Sequence, residues 1–257
     1  MINRGARAAA DNPVVTKGWR LGHAANGVVH VLIGWIALQI AFGSGGGEQA
    51  SASGALETLA GTPGGAVLLW IALVGFALLG FWEIVSAVLG TETKDRVKDG
   101  AKGVAHLVLA GLTLQVVTGS GGGGGGTQSM TAQLMAQPAG RVLVALVGLG
   151  AIAVGGYHLV KGWRKKFLRD LRETPPSWVV QAGRAGYVAR GVAVIILGGL
   201  FVAAAATADP ERAQGLDGAL MTLREAPFGK VLLALVALGF VAFGVYSFAR
   251  AKYARGV

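Results

Sequence analysis

The chain has 257 residues, of which 53% are hydrophobic and 14% are charged. Soluble domains carry roughly 25% charged residues, so this chain lacks the polar side chains to cover a soluble globule, and lipid is the natural solvent for its apolar surface. The formal net charge is +10 and cysteine is absent, which excludes disulfides, zinc–thiolate sites, iron–sulfur clusters and cysteine nucleophiles.

Six long apolar segments predict an all-α fold with six membrane-spanning helices. Most approach the roughly 20 residues that cross a bilayer core, and none shows the period-two alternation of a strand. In chain order they cover residues 22–42, 66–89, 103–118, 141–160, 187–207 and 229–248. The third is the shortest, and we expect it to begin earlier. The tail at 1–14 is basic and has no apolar core of a signal peptide, so the first helix is expected to act as a signal anchor.

The distribution of lysine and arginine among the connections predicts the orientation of the chain in the membrane. All but four lie in the two tails, in the connections after the second and fourth segments, or at the adjoining helix ends. The exceptions are Arg141, Arg212, Arg224 and Lys230. The positive-inside rule then predicts a multi-pass plasma-membrane protein with both termini in the cytoplasm.

The three outer connections combine linkers with apolar patches. Two of them begin with glycine runs, Gly45 to Gly47 and Gly121 to Gly126, which predict flexible linkers. Each connection later contains a short apolar patch, such as Ala55, Leu56 and Leu59. We expect these patches to form short interfacial helices on the outer leaflet.

An internal repeat organises the chain. Shifted by 76 positions, GVVHVLIGWIALQIAFGSGGG from Gly27 matches GVAHLVLAGLTLQVVTGSGGG from Gly103 at ten of 21 positions. Shifted by 164, GALETLAGTPGG from Gly54 matches GALMTLREAPFG from Gly218 at seven of twelve. Self-similarity of this kind indicates a repeat architecture. The predicted units are residues 15–92, 93–172 and 178–255.

The second helix of each unit carries the same glycine spacing. Two glycines stand five apart, and an aromatic residue follows two positions later. The pairs are Gly75 and Gly80, Gly150 and Gly155, and Gly239 and Gly244. A unit of two helices enters and leaves on the same side of the membrane. The three units are therefore expected to be parallel repeats in a compact bundle with pseudo-threefold order.

Three tandem two-helix units that open near Gly-x-x-x-x-Gly-Val, as at Gly22 to Val28 and Gly186 to Val192, resemble an actinobacterial membrane family. That family is known as a domain of unknown function, number 1206, with three copies per chain. Lys98 replaces the leading glycine in the second unit and departs from the pattern. The resemblance covers roughly residues 15–255. It implies the fold and the membrane location, but no activity and no functional residue.

Ionisable side chains inside spanning segments are costly and predict a ligand- or ion-binding site. Glu83 is the clearest, and His158 and Ser247 are its equivalents in the other units. His30 and His106 are equivalent to each other, and the third unit has Val194 in their place. On the first helix, Asn26 shares a face with His23 and His30. The predicted site residues, expected at similar depth, are Glu83, His30, His106, His158 and Asn26.

Three interpretations of this cluster remain open. It binds a proton, a cation or a ligand; it forms interhelical hydrogen bonds that only stabilise the fold; or Glu83 reaches water or a basic residue of a loop. The third unit lacks both histidines, so any site is expected to be asymmetric, between units one and two. Paired histidines also suit b-type haem, but nothing else supports haem. We predict no cofactor and no metal.

The connection after the fourth segment carries the strongest signal for a partner. Lys161, Arg164, Lys165, Lys166 and Arg169 are predicted to contact anionic lipid headgroups at the cytoplasmic face, with topology alone as the alternative. No phosphate loop, nucleophile elbow or triad appears, so we predict no catalytic residue and no nucleic-acid partner, and an enzyme is only the third hypothesis. The leading hypothesis is a structural, lipid-binding or partner-binding protein of the cell envelope. The alternative is a small transporter or channel that uses the Glu/His cluster.

Overall fold

The computed structural model describes residues 13–43, 50–90, 93–119, 126–171, 175–213 and 215–253. Within these ranges the fold is all-α, as predicted. The long helices are α1 (Pro13–Phe42), α3 (Gly65–Leu89), α4 (Thr93–Val117), α6 (Pro138–Trp163), α7 (Ser177–Thr207) and α9 (Gly229–Tyr253). Each contains a stretch long and apolar enough to cross a bilayer. The chain is therefore a multi-pass membrane protein.

Three long helices begin well before their predicted apolar segments. Helix α1 begins at Pro13 rather than at 22. The spanning part of α4 begins at Arg96, which confirms the expected earlier start of the third segment. Helix α7 begins at Ser177 rather than at 187, because Arg184 interrupts the apolar run without interrupting the helix. Polar residues lower the hydropathy of a segment but leave its backbone hydrogen bonding intact.

A short helix lies in each outer connection. These are α2 (Ala52–Ala60), α5 (Gly126–Met135) and α8 (Leu216–Glu225). Helix α2 is capped by Ser51, whose hydroxyl accepts a hydrogen bond from the backbone N–H of Gly54 at 3.2 Å. The short helices were predicted, and their position on the outer leaflet stays a prediction. Gly45 to Gly47 and Gly121 to Gly125 lie outside the described residues.

The long helices are arranged in a row that nearly closes on itself. Helix α4 packs on α3, α3 on α1, α1 on α9, α9 on α7 and α7 on α6. The first helix of each repeat (α1, α4, α7) thus contacts the second helix (α9, α3, α6) of the preceding repeat, and repeat 3 returns to repeat 1. This cyclic order agrees with the predicted pseudo-threefold arrangement.

One glycine pair recurs at all three interfaces between repeats. In each case a Cβ placed on one glycine would lie 2.8 to 3.0 Å from the backbone carbonyl oxygen of the other. The pairs are Gly27 with Gly244, Gly80 with Gly103, and Gly191 with Gly155. Small residues let helix backbones approach closely, which is the main source of packing energy between helices in lipid.

The interface between the two helices of one repeat forms in repeats 1 and 3. A Cβ on Gly22 would lie 2.7 Å from the carbonyl oxygen of Gly75, and a Cβ on Gly186 would lie 2.5 Å from Cα of Phe243. In the part of the chain that the structure describes, α4 and α6 of repeat 2 form no such interface. Lys98 occupies the place of Gly22 there, and Gly150, the equivalent of Gly75, has no atom within 4 Å of its Cβ position.

Repeat 2 is therefore split, and its helices are the least buried of the six. In the most apolar stretch, 17% of the residues of α4 and of α6 are buried, compared with 56% in α1. A lysine side chain does not fit the close approach that Gly22 allows, and its ammonium group favours water or an anion. We call the space between α4 and α6 the split-repeat cleft. It is the main departure from threefold order.

Candidate functional site

The polar side chains predicted as a site lie in one layer of the bundle. This layer is near the end where α1 begins and α9 ends, here called the basic end. On α1, the side chains of His23, Asn26 and His30 are all buried, with at most 8% of their surface exposed. They share one face, as the spacing predicted, and this face packs against the neighbouring helix α9.

Glu83 and His106 meet across the interface between repeats 1 and 2. The Nδ1 atom of His106 lies 2.6 Å from Oε2 of Glu83, and the two side chains are 15% and 12% exposed. The same Nδ1 lies 3.0 Å from the backbone carbonyl oxygen of Lys102. Because a carbonyl oxygen only accepts, this nitrogen carries a proton and donates. Glu83 thus has a partner inside the bundle.

His30 and Asn26 meet a different neighbour, at the interface between repeats 3 and 1. Nδ1 of His30 donates to the backbone carbonyl oxygen of Asn26 at 2.8 Å, and the His30 ring centre lies 4.7 Å from that of Phe243. The Asn26 side-chain amide donates to the hydroxyl of Ser247 at 3.4 Å. Ser247 is the repeat equivalent of Glu83. The same layer therefore holds a neutral contact here.

The third interface, between repeats 2 and 3, leaves its histidine without a hydrogen bond. Nδ1 of His158 is buried and has no hydrogen-bond partner among the described residues. Its ring centre lies 5.8 Å from that of Tyr187. Val194, which stands where His30 and His106 stand in the other repeats, offers no polar atom to it. Sequence equivalence predicted this asymmetry, but not which atom would lack a partner.

Arg190 is a member of this layer that the sequence argument missed. Its guanidinium carbon lies 4.9 Å from the ring centre of Phe243. Among the described residues it has no carboxylate or hydrogen-bond partner. By charge alone it belongs with the topology-setting residues at the entry of the fifth apolar segment. The repeat alignment held the missing signal, because Arg190 stands where Asn26 and Lys102 stand in the other repeats.

The layer brings together four helices. The charge of Arg190 on α7 is within electrostatic range of His30 on α1 and of His158 on α6, and His106 on α4 is within range of His30. The predicted site residues are divided among the three interfaces between repeats and do not form one hydrogen-bonded cluster.

The basic connection after α6 folds back onto the bundle. Its 3-10 helix, Lys166–Asp170, buries the side chain of Phe167 completely. The Phe167 ring lies 5.5 Å from Tyr187 and 5.2 Å from Tyr246, centre to centre. The hydroxyl of Tyr246 donates to the backbone carbonyl oxygen of Phe167 at 3.3 Å. This aromatic cluster packs the connection against α7 and α9 at the basic end.

The basic residues of this connection differ in how far their side chains are exposed. Nζ of Lys161 lies 2.7 Å from Oδ2 of Asp170, and its side chain is only 12% exposed. Lys161 thus faces the bundle, which leaves little of it for a lipid headgroup. The other predicted headgroup contacts are exposed, namely Arg164, Lys165, Lys166 and Arg169.

Asp170 is held in its charged form by this arrangement. Burial disfavours the carboxylate, but the charges of Arg250 and Lys161 and the hydrogen bond from Lys161 outweigh it. Together they keep the pKa of Asp170 below its ordinary value of 3.8. The connection is therefore attached to the bundle by an ion pair as well as by the aromatic cluster.

Comparison with known proteins gives a family and one relative. A family profile described as Domain of Unknown Function (DUF1206) matches residues 21–90, 99–165 and 185–254. The chain is 33% identical over 258 residues to "Uncharacterized protein YxxB" of Bacillus subtilis (strain 168), which covers 93% of this chain and 92% of that protein. No solved structure matches. A relative in Bacillus gives no support to the actinobacterial restriction that the resemblance suggested.

Proposed function

We propose that this chain, which belongs to the DUF1206 family, binds a membrane lipid in the split-repeat cleft between α4 and α6. The proposal places it in the plasma membrane with both termini in the cytoplasm, as the distribution of lysine and arginine favours. The observation that carries the proposal is Lys98. It stands where Gly22 and Gly186 stand, in the one repeat whose two long helices form no interface.

The walls of the cleft suit hydrocarbon. On α4 the exposed side chains include Val104 and Val108. On α6, Val147 and Val154 are exposed, whereas their equivalents in repeat 1, Ala72 and Leu79, are buried. Water has no hydrogen-bond partners along such walls, and an empty gap between helices forfeits contact energy. An acyl chain restores those contacts at no cost in polar groups.

The charge near the basic end of the cleft favours a lipid with an anionic headgroup. Lys98 is exposed on α4, at the position that faces the second helix of the repeat in repeats 1 and 3. A lysine beside a bilayer surface attracts anionic headgroups by about 1 kcal/mol. We therefore place the acyl chains between α4 and α6 and the headgroup towards the basic end.

Native mass spectrometry of the gently extracted protein tests this proposal. The wild type is expected to retain lipid at a fixed stoichiometry. Lys98→Gly restores the repeat pattern, lets α4 approach α6, and is expected to lose that lipid. Lys17→Gly, which removes an exposed lysine near the start of α1 and outside the cleft, is the matched control. Equal lipid retention in all three proteins, or a lipid-free dimer that covers these faces with a second copy, overturns the proposal.

Spin-label distances test the cleft itself, and the absence of cysteine makes labelling specific. Cysteines at Val97 and Leu149 would report on the α4–α6 separation. Leu21 and Val74 are the repeat-equivalent pair across the α1–α3 interface. We expect a longer distance for the first pair, and Lys98→Gly should shorten it towards the second. Equal distances in the wild type would contradict a split repeat.

A second candidate, a small transporter or channel, is favoured by the Glu83–His106 pair. A carboxylate and an imidazole 2.6 Å apart inside the bundle have the chemistry to take up and release a proton. In proteoliposomes, this candidate predicts a proton or cation flux that Glu83→Gln abolishes while the melting profile shows an intact fold. No flux in the wild type excludes it.

A further inference from the structure

We infer that Arg190 and His158 form a binding site for a phosphate group at the inner side of the split-repeat cleft. The inference rests on the proposed lipid-binding function for the path by which a lipid headgroup reaches the site. It adds the chemical class of the ligand and the two side chains that bind it.

The charges of the layer call for an anion. Its two described carboxylates are already paired, Glu83 with His106 and Asp170 with Lys161. Arg190 remains without a carboxylate in the described part of the chain, in the middle of a spanning helix. An unpaired guanidinium at such a depth is costly. An anionic ligand offsets that cost, whereas a cation would add to it and a neutral ligand would leave it unchanged.

The chemistry of the two side chains and the presence of lipid favour phosphate. The guanidinium carbon of Arg190 lies 4.9 Å from the ring centre of Phe243, a contact that uses none of the N–H donors of Arg190 as a hydrogen bond. Guanidinium groups bind carboxylate and phosphate oxygens through two parallel hydrogen bonds, and phosphate is the anion that phospholipid headgroups carry. His158 lies at the same α6–α7 contact: its ring centre is 5.8 Å from that of Tyr187, one turn before Arg190, and Gly155 meets the backbone of Gly191. Its Nδ1 is buried and has no hydrogen-bond partner among the described residues. In the tautomer with a proton on Nδ1, the ring donates a further hydrogen bond.

The path to this site follows from the missing α4–α6 interface. Arg190 lies at the contact of α7 with α6, where Gly191 meets Gly155, and next to α9, through Phe243. In repeats 1 and 3 the two long helices of one repeat contact each other. The described residues of α4 and α6 form no such interface in repeat 2, and the headgroup is proposed to enter on that side.

A lipid headgroup and free inorganic phosphate share this chemistry, and the experiment separates them. In one arm, the protein is reconstituted in nanodiscs of equal phosphatidylglycerol and phosphatidylcholine, and the retained lipids are counted by native mass spectrometry. We expect enrichment of phosphatidylglycerol in the wild type and a loss of about tenfold in Arg190→Gln, the size of one charge-assisted hydrogen bond. Arg190→Lys should keep part of the enrichment.

The matched control is Arg184→Gln. Arg184 is on the same helix and also stacks on an aromatic ring, that of Trp163 at 4.8 Å, but it is exposed. Arg184→Gln should leave the enrichment of phosphatidylglycerol unchanged. His158→Gln should lower the enrichment several-fold while Arg190 stays in place. If Arg190→Gln does not melt as a folded protein, His158→Gln decides, and unchanged enrichment in it overturns the inference.

In the second arm, inorganic phosphate is titrated into delipidated protein in detergent. Binding that depends on Arg190, without any phosphatidylglycerol enrichment, would keep the phosphate site and reject the lipid function. If Lys98→Gly loses all lipid and Arg190→Gln loses only the preference for anionic lipid, the result supports both the lipid-binding cleft and the phosphate site. Lipid retention without anionic preference, together with no phosphate binding, rejects the phosphate site and leaves the lipid-binding cleft in place.

Discussion

The Oε2 atom of Glu83 on α3 lies 2.6 Å from Nδ1 of His106 on α4, and this pair joins repeats 1 and 2. Between repeats 3 and 1 the equivalent residues are Ser247 and His30, and the hydroxyl of Ser247 accepts a hydrogen bond from Asn26, one turn before His30. At the interface between repeats 2 and 3, the equivalent residues are His158 and Val194. One backbone arrangement thus carries an ionisable pair, a neutral hydrogen bond and an unpaired histidine. The chemistry of the layer is asymmetric although the helix packing between repeats is not.

Replacing Glu83 by glutamine should destabilise the fold to a limited extent. Glutamine keeps the shape and an acceptor oxygen but loses the charge that strengthens the bond to His106. Charge-assisted hydrogen bonds contribute about 1.5 to 3 kcal/mol, so we expect Glu83→Gln to lower the free energy of unfolding by roughly 1 to 2 kcal/mol. Thermal unfolding in detergent, followed by tryptophan fluorescence, measures the change.

Glu57→Gln is the control for that measurement, because Glu57 is exposed on α2. Its melting temperature should equal that of the wild type. In a double-mutant cycle, His106→Ala and Glu83→Gln should be non-additive, because each removes the same contact. Additive losses would show that the pair contributes nothing across the interface.

Gly155 and Gly156 are neighbours in the sequence and should respond oppositely to alanine. A Cβ on Gly155 would lie 2.7 Å from Cγ1 of Ile195 and 2.8 Å from the carbonyl oxygen of Gly191, whereas nothing lies within 4 Å of a Cβ on Gly156. We expect Gly155→Ala to push α6 from α7 and cost about 1 to 3 kcal/mol. Gly156→Ala should be neutral or stabilise by up to about 1 kcal/mol, because alanine is the better helix former.

The comparison uses the melting temperatures of the two variants in the same detergent. A similar loss in both would mean that glycine matters here for flexibility and not for close approach. A similar gain in both would mean that the α6–α7 contact is looser than the distances indicate. Either result would weaken the case for glycine pairs as the recurring feature of the interfaces between repeats.

The fold was largely predictable because lipid imposes simple rules on sequence. Length and hydropathy alone locate spanning helices. The recurrence of His30 as His106 shows that the first helices of repeats 1 and 2 are equivalent. Neighbour relations were harder to predict. The sequence placed Glu83, His30 and His158 at one depth, but the cyclic order of the helices decides that Glu83 meets His106 and that His30 packs against α9. That order depends on packing between segments far apart in the chain.

Two features of the candidate site needed the structure. Lys98 was visible as a departure from the repeat, but the sequence does not say whether a misfitting residue bends a helix, turns outward or separates two helices. Arg190 looked like one more positive charge at the entry of a helix, because hydropathy began that helix too late. In both cases the charge of the residue was interpreted by itself, whereas the role of the residue follows from its position in the repeat.

Asp170 should make the stability of the basic end depend on pH in the acid range. Its pKa in the folded protein lies below the ordinary value of 3.8, since Arg250 and Lys161 outweigh the effect of burial. The unfolded chain therefore binds a proton at higher pH than the folded one. The stabilisation is fully present above the unfolded pKa and is lost as pH falls through the folded pKa.

Asp170→Asn isolates this contribution. At pH 5 to 8 we expect the variant to be less stable than the wild type by roughly 1 to 2 kcal/mol, because Lys161 loses a partly buried ion pair. Below about pH 3.8 the difference should shrink, because Asp170 is then protonated in the unfolded wild type while the folded protein still holds it as a carboxylate. Asp209→Asn is the control: its pair with Arg212 is 40% and 55% exposed, and exposed pairs contribute about 0 to 1 kcal/mol. A difference between wild type and Asp170→Asn that stays constant down to pH 3 would show that the carboxylate is not what attaches the connection to the bundle.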